Sequence, residues 1–155
     1  MMRSKRIKKK QISPDAIYKS RVVTRLINYV MLHGKKAVAE DIVYSAIGRI
    51  SEDRKDAAAF FEKAVKELMP KQEVRSRRVG GATYQVPVPV KHDRAEALAL
   101  RWLVDVSRGK KGKPMADALF EELNHINEGI GDALKKRDDT HKMAEANRAF
   151  AHFRF

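Results

Sequence analysis

A Gly-Gly pair at positions 80 and 81 constrains the fold of this chain more than any other feature of its sequence. The pair separates two β-prone runs, Val74–Val79 and Ala82–Val90. Glycine adopts positive φ without steric cost, so two adjacent glycines between such runs predict a two-residue hairpin turn. The sequence therefore predicts a β-ribbon over residues 72–90.

The position of this turn also sets the register of the ribbon. Arg77 falls opposite Tyr84, and Val74 falls opposite Pro87. Pro87 and Pro89 then occupy non-hydrogen-bonded positions, where the N–H that proline lacks would have pointed away from the partner strand. Such prolines fit only a strand whose outer edge is unpaired, and no other run supplies a third strand. We therefore expect a protruding two-stranded ribbon.

The ribbon carries residues that suit a phosphate chain. Arg77 and Arg78 lie on opposite faces near the tip, and Gly80 with Gly81 would let a nucleic-acid backbone pass closely. Tyr84, beside Arg77, offers a ring on which a base could stack. The alternative interpretation is a solvated hairpin whose charges only keep the protein soluble.

Helical periodicity surrounds the ribbon on both sides. Before it, apolar residues recur at helical spacing from Ser20 to His33, from Lys35 to Ile50 with Val38 in the stripe, and from about Ala57 to Leu68, where Pro70 ends the third helix. After it, Asp93 and Glu96 form a capping-box pattern at the start of a fourth helix that reaches about Val106.

Two further helices complete the prediction. Pro114 suits the first turn of a fifth helix, which Gly129 and Gly131 end. A sixth helix begins at about Asp132 or Asp138 and has Met143, Ala146, Asn147 and Phe150 on its inner side. The fold class predicted is mainly α: a bundle of about six helices with one protruding ribbon between helices 3 and 4. At 155 residues the chain is expected to form one domain, 1–155.

Charge points to the partner. There are 33 Lys and Arg against 20 Asp and Glu, a net charge of +13, while 43% hydrophobic residues agree with a folded protein. A charge of this size indicates a polyanion, above all nucleic acid. The chain has no cysteine, which excludes disulfides and thiol zinc sites. No apolar run reaches membrane-spanning length, and we expect a soluble, cytoplasmic protein.

The cations concentrate in four places: a basic arm, predicted to be flexible over residues 1–18; the Gly34-Lys35-Lys36 turn; the ribbon; and a loop over 108–113. Cations in loops and at helix starts fit an irregular folded RNA better than a straight duplex. The alternative is that each patch is simply solvated. The members outside the ribbon are Arg3, Lys5, Arg6, Lys8, Lys9, Lys10, Lys35, Lys36, Arg108, Lys110, Lys111 and Lys113.

No pattern indicates catalysis. None of the five histidines pairs with another at metal-ligand spacing, and the glycines do not form a dinucleotide or phosphate loop. We therefore predict no enzyme activity, no cofactor and no metal. Two other classes stay open at this point. One is an architectural DNA-binding protein with a basic β-arm. The other is a basic ribonuclease that would need two histidines, such as His92 and His141, close in space.

Four stretches of the sequence resemble one known family, the bacterial form of the seventh protein of the small ribosomal subunit. The most specific reads EVRSRRVGGATYQVPV from Glu73 to Val88, and the next is Asp139–His152. The others run from Ser20 through Gly34-Lys35-Lys36 to Ala46, and over Ala97–Val104. The resemblance itself extends over essentially the whole chain.

The resemblance implies a structural protein that binds ribosomal RNA directly and starts assembly of the subunit head. It assigns this contact to the cations of the arm, the turn and the loop, together with Arg94, Arg101, Lys142 and Arg148. It places Arg77, Arg78, Gly80, Gly81 and Tyr84 near the exit-site transfer RNA and the messenger RNA. It also implies other proteins of the head and platform as neighbours. The chain departs from the family pattern at Met1-Met2-Arg3, at Pro89 and at its Phe153-Arg154-Phe155 end.

Overall fold

The computed structural model describes residues 11–153, which form six α-helices, one β-hairpin and a C-terminal 3₁₀ helix. This confirms the predicted fold class, including the place of the ribbon between the third and fourth helices. The elements are α1 Arg21–Val30, α2 Lys36–Gly48, α3 Arg54–Leu68, β1 Gln72–Val79, β2 Ala82–Pro89, α4 His92–Gly109, α5 Met115–Glu128, α6 Asp132–Ala146 and the 3₁₀ helix Arg148–Phe153.

One hydrophobic core joins the helices, and α4 is its central member. This helix packs against α1, α3, α5 and α6. Its Leu100 and Leu103 are fully buried, as are Leu26 of α1 and Phe61 of α3. Burying side chains of this size contributes about 1.5–3 kcal/mol each, which is why the apolar stripes located the helices correctly.

The hairpin has the predicted register. Val79 pairs with Ala82, Arg77 with Tyr84, Arg75 with Val86 and Val74 with Pro87. Gly80 and Gly81 have φ of 57° and 91°, as a type I′ turn requires at both central positions. The two strands form a two-stranded sheet. The register was predictable because the turn is a local feature.

Only the outer part of the ribbon protrudes. Its base packs against α6 and the 3₁₀ helix. Val86 is 1% exposed and Pro87 is buried, whereas both arginines near the tip are exposed. The ribbon is therefore a finger with an anchored base.

Several helix details differ from the prediction. Asp53 caps α3 by accepting a hydrogen bond from the Lys55 N–H at 2.9 Å, so the helix starts three residues before Ala57. The capping box predicted at α4 is wrong. Lys91 is the N-cap, Asp93 lies in the first turn, and Glu96 is instead buried in an ion pair with Arg25 of α1 at 2.7 Å.

Three predicted core positions face outward. Val38 is 54% exposed, because α2 turns Ala39 and Val43 toward the core. Met143 of α6 is 53% exposed and Ala146 is exposed, while Ala144 is 2% exposed. The rest of the predicted α2 stripe does contact the core. In α6, by contrast, most residues are charged or polar, and periodicity alone did not select the buried face.

The described part of the predicted arm packs on the helical body. Asp15 accepts hydrogen bonds from the Ile17 and Tyr18 N–H groups, each at 2.9 Å, and from the Tyr44 hydroxyl of α2 at 2.6 Å. Burial raises the pKa of Asp15, but the bond from Tyr44 and those from the backbone together bring that pKa below its usual value. No helix within residues 11–153 is long and apolar enough to cross a membrane.

Candidate nucleic-acid interface

Twelve of the cations predicted to contact nucleic acid lie among the described residues, and we group them into two surfaces. The turn surface comprises Lys35, Lys36 and the loop cations Arg108, Lys110, Lys111 and Lys113. The ribbon surface comprises Arg77 and Arg78 with Arg94, Arg101, Lys142 and Arg148. Arg3, Lys5, Arg6, Lys8, Lys9 and Lys10 of the predicted arm lie outside the described residues.

Arg108 joins the two parts of the turn surface. Its Nη2 donates hydrogen bonds to the main-chain oxygens of Tyr29 and Val30 at 3.2 and 3.1 Å. The last carbonyls of a helix lack partners within that helix, and a cation is favourable there. Arg108 therefore closes the end of α1 and holds the 108–113 loop beside the turn that precedes Lys35. Its predicted role in RNA contact is accompanied by a structural one.

The α1–α2 turn presents its lysines to solvent. His33 and Gly34 have φ of 53° and 73°, the left-handed region that reverses the chain within a few residues. Both Lys35 and Lys36 are exposed, and Lys36 lies 3.5 Å from Glu40 one turn along α2. The first turn of α2 contains no acidic residue and has no side-chain cap. Two cations at an uncapped helix start favour an anion there.

Only part of the loop charge is available to a ligand. Lys113 donates to Glu121 at 2.6 Å, and this hydrogen bond lowers the pKa of Glu121. Lys110 Nζ lies 3.0 Å from Oε2 of the fully buried Glu122. Among the described residues Lys111 has no ion pair and is exposed. Lys111 is thus the loop cation best placed to contact a phosphate.

Two arginines of the ribbon region converge on one buried carboxylate. Arg75 Nη2 is 2.6 Å from Glu73 Oε1, and Arg94 Nε of α4 is 3.3 Å from Glu73 Oε2. Glu73 itself is 7% exposed. This pairing ties the base of the ribbon to the start of α4. Arg94 is 48% exposed beyond the pair, so its guanidinium can still reach a ligand.

The Tyr84 ring is partly buried against two aromatic rings of the 3₁₀ helix, and its stacking on a base stays a prediction. Its ring lies 5.2 Å from that of Phe150 and 5.0 Å from that of Phe153, centroid to centroid. Such aromatic contacts contribute about 0.5–1.5 kcal/mol beyond area burial. Tyr84 therefore anchors the 3₁₀ helix to the ribbon, and no sequence signal linked residues so far apart.

The remaining members of the ribbon surface are exposed. Arg101 follows Arg94 by seven residues on α4 and so lies on the same face of that helix. Lys142 belongs to α6, and Arg148 is the first residue of the 3₁₀ helix. Arg101, Lys142 and Arg148 form no ion pair within residues 11–153.

Some cations with structural roles were missed by sequence reasoning. Arg137 Nη1 donates to the Glu67 main-chain oxygen at 2.6 Å and so closes the end of α3. Arg49 of α2 pairs with Asp117 of α5. The main-chain N–H of Lys71, and not its ammonium group, donates to His141 Nε2 at 3.0 Å. Their partners lie about 70 residues away in the chain, and no local pattern could have indicated them.

The histidines are not gathered into a metal site: no group of three or more metal-ligating side chains occurs in residues 11–153. His92 opens α4, while His141 is partly buried in α6 against Lys71. Burial, followed by the charge of Arg137, lowers the pKa of His141 below its usual value.

A helical body that presents exposed lysines and arginines from loops, helix ends and a β-ribbon defines a class, the small basic proteins that bind a polyanion such as RNA. The family model described as "Ribosomal protein S7p/S5e" matches residues 2–148. The chain belongs to this family of ribosomal proteins.

Curated relatives in the same family match this chain over their full length. The chain is 54% identical to the "Small ribosomal subunit protein uS7" of Pelagibacter ubique, with 100% of both chains covered. It is 52% identical to the protein of that name in Fervidobacterium nodosum, covering 99% of this chain and 100% of the relative. The protein of that name in Francisella tularensis subsp. holarctica is 52% identical, with both chains fully covered.

Family membership decides between the classes that the sequence left open. The chain is a structural constituent of the small ribosomal subunit and not an enzyme, as predicted. The alternative of an architectural DNA-binding protein finds no support in these relatives. The roles of individual residues stay predictions.

Proposed function

We propose that the whole 155-residue chain acts as one domain that binds ribosomal RNA of the subunit head directly and starts head assembly. The observation that carries this proposal is that some cations are bound within the protein, whereas others are exposed and unpaired in the described chain. Lys35, Lys111, Arg101, Lys142 and Arg148 are exposed and have no ion pair within residues 11–153, whereas neighbouring cations hold helix ends or buried carboxylates.

The turn surface and the tip of the ribbon have different roles in this proposal, while Arg94, Arg101, Lys142 and Arg148 of the ribbon surface are assigned to ribosomal RNA. The turn surface is built on the ends of α1, α2 and α4, which belong to the rigid core, so it suits a folded RNA whose shape is recognised. The exposed tip of the ribbon, with Arg77, Arg78, Gly80 and Gly81, reaches beyond the core. We assign the tip to the exit-site transfer RNA and messenger RNA, and the other head and platform proteins to the surrounding faces.

Binding of a head-forming ribosomal RNA fragment at increasing salt tests the turn surface. Removing one phosphate contact should reduce the slope of log K against log salt by about 1. A variant with Lys35→Ala, Lys36→Ala and Lys111→Ala should therefore show a slope smaller by roughly two to three units. A variant with Lys63→Ala and Lys66→Ala on α3 serves as the control, since it removes exposed cations that belong to neither surface.

The ribbon is tested separately with Arg77→Ala and Arg78→Ala, which keep the Tyr84 ring in place. We expect ribosomal RNA affinity within about threefold of the wild type and weaker exit-site transfer RNA binding in reconstituted subunits. A wild-type protein that does not bind the ribosomal RNA fragment at moderate salt would contradict the proposal. A ribbon variant that binds transfer RNA normally would contradict the division of roles between the turn surface and the tip of the ribbon.

A further inference from the structure

An open cavity of about 440 Å³ lies between the base of the ribbon, α6 and the 3₁₀ helix. Pocket volumes for small ligands begin at about 300 Å³. Two cations line the cavity, Lys71 from the ribbon side and Arg148 from the 3₁₀ helix. Neither side chain forms an ion pair within residues 11–153, and both residues are exposed.

Three of the lining residues are apolar, and we call them the floor of the cavity. Pro87 of β2 and Ala144 of α6 are buried, and Ala151 of the 3₁₀ helix is partly buried. Small apolar side chains leave a flat surface against which a planar ring can lie. Cations beside an apolar floor suit a ligand that joins a negative group to a ring, as a nucleotide does.

Two further groups give the cavity hydrogen-bonding capacity. Glu145 is exposed and forms no ion pair with Arg148, although both line the cavity. An ionised carboxylate only accepts hydrogen bonds, so it matches the N–H groups on the edge of a base. His141 accepts the Lys71 N–H through Nε2, so the neutral ring carries its proton on Nδ1.

We infer that this cavity receives one unstacked nucleotide of the bound RNA, with the base on the floor of Pro87 and Ala151 and the phosphate between Lys71 and Arg148. Glu145 then accepts from an amino or imino N–H of the base. The inference rests on the proposed RNA binding, and it adds to that proposal a binding site in which Lys71, which was not among the predicted contacts, takes part. Recognition of a splayed-out base is the usual route to sequence preference in RNA.

Three single variants of the full chain test this site against the head-forming ribosomal RNA fragment. Arg148→Ala should weaken binding by roughly tenfold and reduce the salt slope by about 1. Ala151→Leu fills the floor without changing charge, so it should weaken binding by roughly tenfold with the slope unchanged. Lys136→Ala removes an exposed cation of α6 outside the cavity and should stay within about twofold of the wild type.

Thermal unfolding of each variant separates a binding defect from a folding defect. A benzophenone side chain at Gln72, on the rim, should crosslink to one nucleotide of the RNA. Full affinity of Ala151→Leu would overturn the inference, because the phosphate alone would then be held. Crosslinks to a ribosomal protein in reconstituted subunits would also overturn it. If the wild type itself fails to bind RNA, the proposed function fails, and this site fails with it.

Discussion

Replacing Glu122 by alanine tests how the turn surface is supported from inside the molecule. This carboxylate is fully buried in α5. Its Oε1 accepts a hydrogen bond from the Ala133 N–H at 2.9 Å, in the first turn of α6, where Gly131 supplies no side-chain cap. Its Oε2 lies 3.0 Å from Lys110 Nζ of the 108–113 loop. One side chain therefore caps a helix and orients a loop.

The expected cost follows from these contacts. A hydrogen bond to a charged group contributes about 1.5–3 kcal/mol, and a buried donor left unsatisfied costs the full desolvation penalty. The space vacated by the shorter side chain adds about 1–2 kcal/mol. Lys110 has a side chain that is 21% exposed, so it can turn toward water and limit the penalty of an unpaired charge. We expect Glu122→Ala to lower the free energy of unfolding by about 3–5 kcal/mol.

Urea unfolding followed by circular dichroism measures this change, and the Tm should fall by roughly 6–20 °C in a chain of this length. Glu122→Gln is the matched variant. It keeps the volume and the Oε1 acceptor and should cost about 1–2 kcal/mol, chiefly through Lys110. In a double-mutant cycle, Lys110→Met should cost little further stability in the Glu122→Gln background, because the ion pair is already lost there. A loss below about 1 kcal/mol for Glu122→Ala would refute the capping role.

Two other predictions concern stability. A Cβ added at Gly131 would lie 3.0 Å from Glu122 Oε1 and from Ile126 Cγ1. Gly131→Ala should therefore lower the free energy of unfolding in urea by about 1–3 kcal/mol. The control Gly109→Ala, which has open space around it, should be nearly neutral. The pKa of Asp15 is lowered in the folded state. The Asp15 carboxylate therefore stabilises the fold above about pH 4, and this stabilisation is lost as the pH falls through the pKa of the folded state. Tyr44→Phe should therefore lower the free energy of unfolding by about 1.5–3 kcal/mol at pH 7 and by much less at about pH 2. An equal loss at both pH values would show that the hydroxyl does not act through the Asp15 carboxylate.

Much of the fold could be predicted because its signals are local. The hairpin register follows from Gly80 and Gly81, since only a turn with positive φ at both positions joins the two runs. The stripe of α1 and the stop at Gly129 follow from spacing and from one left-handed residue. In contrast, Val38 of α2 and the inner face of α6 at Met143 were misassigned, because apolar residues lie on more than one face of each helix.

Charge, periodicity and turn chemistry act within a few residues, so the amino-acid sequence was enough to specify a basic helical bundle with one ribbon and the residue types expected to contact RNA. Which of the cations are available to a ligand depends on how the helices pack. Lys110, Arg108 and Arg94 are held by Glu122, by the end of α1 and by Glu73, whereas Lys111 and Arg148 are not paired in the described chain. Ion pairs and cavities form between groups that packing brings together across tens of residues, and their strength depends on burial, which no local pattern specifies.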